Sequence, residues 1–220
     1  LLTFVTIKYP AYKRFGDNHL LFYKSTYEAL LTGHDDNKKP YDRVFMSVDD
    51  ANQFSTVFKE FCAITFKDGA LQFDSTTFEA YFKQLTSHPT FENPYKMNVK
   101  NFKHAVCSTA CMMYEKEYDI FYIDPGFQEF LFAEYYTQAN LEEMKPLMDS
   151  LAKLPYNKVL RFEALDMLHD RATEKFRLHV LLPFLEGIFQ GTDVQAFMKF
   201  LETCFAEINI CCHNALMETQ

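Results

Sequence analysis

A chain of 220 residues, 48% apolar and 24% charged, has room for a sizeable core and reads as one soluble globular domain over 1–220. Its net charge of -8 repels polyanions, which disfavours nucleic acid and anionic membranes as principal partners. With 6 Gly residues there is little scope for a phosphate cradle, and no P-loop, Rossmann or Gly-x-Ser-x-Gly pattern occurs.

Leu2–Tyr9 alternates apolar and polar residues and predicts a half-buried strand that Pro10 ends. His19–Lys24 (HLLFYK) predicts a second strand, and Ser25-Thr26 leads into a short helix through Leu31. Gly33–Pro40 is a polar loop, and Arg43–Val48 a third strand. Ser47 with Asp49 and Asp50 marks a helix start, since acids in a first turn complement the helix dipole. That helix runs to Phe61 on Phe54, Val57, Phe58 and Phe61. Lys67-Asp68-Gly69 predicts a hairpin turn between 63–66 and 71–73. Asp74 or Ser75 then caps a helix carrying Phe78, Tyr81, Phe82 and Leu85. The loop at 87–97, with Pro89 and Pro94, is the one weak seam.

Residues 98–117 predict a helix that delivers the chain into the best strand of the sequence, Tyr118–Asp124, which stops at Pro125-Gly126. A helix over 127–138 follows. Asn140 and Glu143 have capping-box spacing ahead of Met144, Leu147, Leu151 and Leu154, with a kink at Pro146. The next helix, 159–176, places Leu165, Leu168, Ala172 and Phe176 on one stripe, and Pro183 interrupts it. A last amphipathic helix over 193–216 begins at the Thr192–Gln195 capping box. The fold class is therefore α+β: a small sheet of N-terminal strands and 118–124, covered by helices, with a helical C-terminal half. The alternative is all-α, because short apolar runs fit buried helix as well as strand.

Three constellations carry candidate chemistry. Asp124 ends a strand before a turn and helix, the place where open α/β sheets put ligand groups. A catalytic or metal role there needs a second carboxylate from elsewhere, with Asp49 and Asp50 the candidates; the structural reading is an Asp-Pro-Gly turn. His104, Cys107 and Cys111 stand at i, i+3 and i+7, one face of a helix, with side chains that suit zinc. Their structural reading is core packing. Asp166, His169 and Asp170 share a further helix face, which also reads as a solvated stripe. The run Asp119–Phe127 (DIFYIDPGF) resembles the catalytic strand of amino-methyltransferases, which ends in Asp-Pro-Pro-Tyr. Here Gly126 replaces the second proline and no Gly-rich cofactor loop precedes it, so no residue role carries over.

The 6 cysteines lie mostly on apolar helical patterns and read as reduced and buried, which places the chain inside the cell, in cytoplasm or nucleus. No apolar run is long enough for a membrane span, and no secretory signal is legible. With no coherent catalytic set, and with 24 Phe and 13 Tyr, the expected function is a non-enzymatic protein-interaction module: an adaptor, inhibitor or assembly subunit with an aromatic-rich surface. Its partner is another protein or a second copy of the chain, and it needs no cofactor. The competing expectation is a hydrolase or nuclease dependent on zinc or another divalent metal, using Asp124 with Asp49 or Asp50, or else Asp166, His169 and Asp170.

Overall fold

The computed structural model describes residues 19–32, 48–87, 97–140, 142, 145, 162–188, 194, 195 and 198. Expectations for 2–9, 33–40, 43–47 and 88–94, and for most of 141–160 and 189–216, lie outside the described residues. The fold is α+β with a helical bias. Helices α1 (His19–Thr32) and α2 (Val48–Lys67) lead to strand β1 (Gln72–Asp74) and helix α3 (Ser75–Thr86). Helix α4 (Val99–His104) continues as a π turn over Ala105–Thr109. Strands β2 (Met113–Lys116) and β3 (Asp119–Tyr122) form a hairpin, and α5 (Pro125–Gln138) follows directly. Then come α6 (Phe162–Arg171), α7 (Thr173–Phe176), a π turn over Arg177–Leu181, and α8 (Leu182–Ile188).

Residues 19–24 are helical, not a strand. The inward positions of α1, Leu20, Tyr23, Tyr27, Leu30 and Leu31, recur at spacings of three and four, so the apolar run continues the helical period of the residues after it. Residues 63–66 likewise stay in α2, with Ala63 and Phe66 buried. The Asp68-Gly69 turn closes a helix there rather than a hairpin. Gly69 takes φ 66, its N–H reaches Phe66 O at 2.9 Å, and Ala70 N–H reaches Thr65 O at 2.9 Å. The helix expected over 98–117 ends early. Ala110 N–H bonds Ala105 O at 2.8 Å, Cys111 turns left-handed at φ 52, and Met112 N–H bonds back to Val106 O at 2.9 Å. The chain freed by that stop becomes β2.

The sheet order is β1-β3-β2, antiparallel throughout. Register pairs Phe73 and Met113 with Ile120 and Tyr122 on the inner face, all four buried. The helix expected over 159–176 breaks at Ala172 (φ -144, ψ 52). Farther on, the π turn at Arg177–Leu181 sits just before Pro183, which has no N–H for the carbonyl four residues back and crowds it. The wider turn accommodates both, so Pro183 lies inside α8 instead of ending a helix.

Helix α5 is the centre of the molecule. Nearly every residue from Gly126 to Tyr136 is buried, because α1, α2, α6 and β3 all pack on it. Aromatic rings fill most of the space. Phe102 alone has the rings of Phe61 at 5.1 Å, Phe82 at 5.3 Å and Phe78 at 5.8 Å. Each fully buried Phe contributes about 1.5–3 kcal/mol relative to exposure. Phe102 follows residues 87–97 in the chain and Phe61 and Phe78 precede them, so one buried cluster draws on both sides of the expected seam.

Candidate functional site

Asp124 stands where β3 hands over to α5. Its backbone is extended (φ -149, ψ 125), and its Oδ1 accepts the Gly126 N–H at 2.8 Å. Pro125 occupies the first turn, where a missing N–H costs nothing. Asp124 is therefore the N-cap of α5. The Tyr23 hydroxyl donates to the same Oδ1 at 3.5 Å, a long contact that ties α1 to this corner. The Tyr23 ring lies over Gly126 so closely that a Cβ there would run into it. It also packs edge-on against Phe127 at 5.1 Å. Asp119, on the other face of β3, accepts from Gln72 Nε2 at 2.6 Å. Asp49 and Asp50 lie in the first turn of α2, and their side chains are outside the described residues.

The zinc candidates do not share one helical face. His104 is exposed at the end of α4, Cys107 is half-buried in the π turn, and Cys111 is exposed beyond the helix stop. The π turn and the left-handed Cys111 undo the i, i+3, i+7 spacing. Cys111 Sγ lies 3.5 Å from Ser108 O, its hydrogen-bond acceptor. Burial pushes the Cys107 thiol up to about 11, against the pull of the Lys103 ammonium, with Glu115 and Cys111 adding to the rise. The free Cys107 thiol is therefore protonated at neutral pH. Among the described residues no group of three or more His, Cys, Asp or Glu side chains is placed to hold a metal ion. Asp166 and Asp170 are exposed on α6, and half-buried His169 has its Nδ1 3.6 Å from Asp170 Oδ1 and its ring edge-on to Phe176 at 5.6 Å.

A buried polar network lies between α2, β3 and α5. The Thr65 and Tyr122 hydroxyls bond at 2.9 Å, and Gln128 Nε2 donates to Thr65 Oγ1 at 3.0 Å and to Ala70 O at 2.9 Å. Tyr122 Oη also reaches Cys62 Sγ at 3.5 Å. Burial raises both the Tyr122 phenol and the Cys62 thiol well above their ordinary values, so both stay neutral. These satisfied groups pin three elements together and meet no solvent.

The outer face of the sheet is different. Register places Tyr114, Phe121 and Gln72 in one row across it, and Lys116, Asp119 and Asp74 in the next. The Tyr114 and Phe121 rings stack at 5.3 Å with 18° between planes, and Tyr114 is 44% exposed. Tyr118, at the hairpin tip, is 85% exposed. Sequence reasoning missed this face because it took 98–117 as helix, which hid β2. The Tyr114-x-Lys116 alternation next to a two-residue turn was the available signal.

Comparisons of the chain with protein-family models, curated proteins and solved structures give no match. No helix among the described residues is long and apolar enough to cross a membrane.

Proposed function

We propose that this chain is a non-enzymatic protein-interaction module, an adaptor, inhibitor or assembly subunit, that docks a partner on the outer face of its sheet. The observation that carries the reading is the exposure of Tyr114 and Tyr118, while most other aromatics among the described residues are buried. A sheet face with stacked, solvent-facing rings loses water readily on contact and offers anchors of the kind that dominate interfaces. Asp124, the candidate catalytic carboxylate, caps α5, which accounts for its place in the sequence without chemistry.

The test is proximity labelling in cells with the unaltered chain and with a Tyr114→Ser/Tyr118→Ser double variant whose circular dichroism matches it. Specific neighbours are expected to disappear from the variant. Unchanged neighbours reject this face. A divalent metal that copurifies, with an activity that Asp124→Asn removes, replaces the reading with the metal-dependent hydrolase or nuclease.

A further inference from the structure

We draw no further inference here: the strongest candidate, the edge of β2 beside the stacked Tyr114 and Phe121 rings, offers an added strand only Tyr114 and the Lys116 ammonium on the outer face, with Glu115 held by Lys103 and Met113 buried, and nothing in the structure shows what covers it.

Discussion

Asp124 has two hydrogen bonds on one oxygen and a structural reason to be an acid. The first turn of α5 leaves backbone N–H groups without helical partners, and the Asp124 carboxylate takes the one at Gly126. The negative charge also faces the positive end of the helix dipole. Asn keeps the cap but not the charge, whereas Ala keeps neither. Asp124→Ala is expected to lower unfolding stability by about 1 kcal/mol, and Asp124→Asn by under about half of that, in urea denaturation followed by circular dichroism. Equal losses from both variants remove the capping role. Gly126 next to it has a separate constraint, since the Tyr23 ring occupies the space a side chain needs. Aspartate, proline and glycine at this corner were legible in the sequence as a turn. The part played by Tyr23 was not, because it lies 101 positions away and no local pattern announces the contact.

At the scale of elements, α3, α5 and strand β3 were read close to their observed bounds, whereas α1, the end of α2 and the helices expected over 98–117 and 159–176 were not. Helix α3 carries Phe78, Phe82 and Leu85 inward as its spacing requires, and the Asp74 cap was visible three residues ahead of Thr77. The α1 segment was misread over 19–24 because four apolar residues in a row satisfy both periods until the following turn is counted. The α4 segment was overextended because its stop carries no Gly. Cys111 holds the left-handed position at φ 52 that Gly usually fills, so the sequence signal for a C-cap is missing. That conformation brings the Cβ of an L-residue close to the backbone, at a cost of roughly 1 kcal/mol. The Cys111 side chain makes only a long contact to Ser108 O in return. Cys111→Gly is therefore expected to raise stability by about 0.5–1 kcal/mol, seen as a higher urea midpoint with an unchanged slope. A lower midpoint means that the side chain contributes more than the strain costs. The far end of α5 illustrates another signal the sequence hides: Lys175 donates to the carbonyls of Tyr136, Thr137 and Ala139, a cation at a helix C-terminus supplied from α7.

Among the described residues the aromatics serve chiefly as filling, a use that the composition alone did not distinguish from surface. Rings from α2, α3, α4, β1 and β3 meet in one cluster, and neutral polar groups are sealed beneath them. Sealing has a consequence for pH. Burial raises the Cys62 thiol well above its ordinary 9.0 and the Tyr122 and Tyr27 phenols well above 10.0, chiefly because the anions lose water. Below about 9 these groups are neutral in both folded and unfolded chains and leave stability unchanged. From about 9 upward the unfolded chain releases protons that the folded chain retains, so stability falls as pH rises. Cys62 acts first, and the tyrosines follow about one unit later. Between pH 9 and 10 a single buried thiol accounts for a loss of about 1 kcal/mol. Cys62→Ala is expected to lower stability at neutral pH by about 1 kcal/mol through lost packing, yet to flatten the decline between pH 9 and 10 by a similar amount. Urea midpoints across that range read both effects in one series. A parallel decline in the two proteins shows instead that the Cys62 thiol ionises as readily folded as unfolded, which its place between Tyr122 and the core of α2 does not permit.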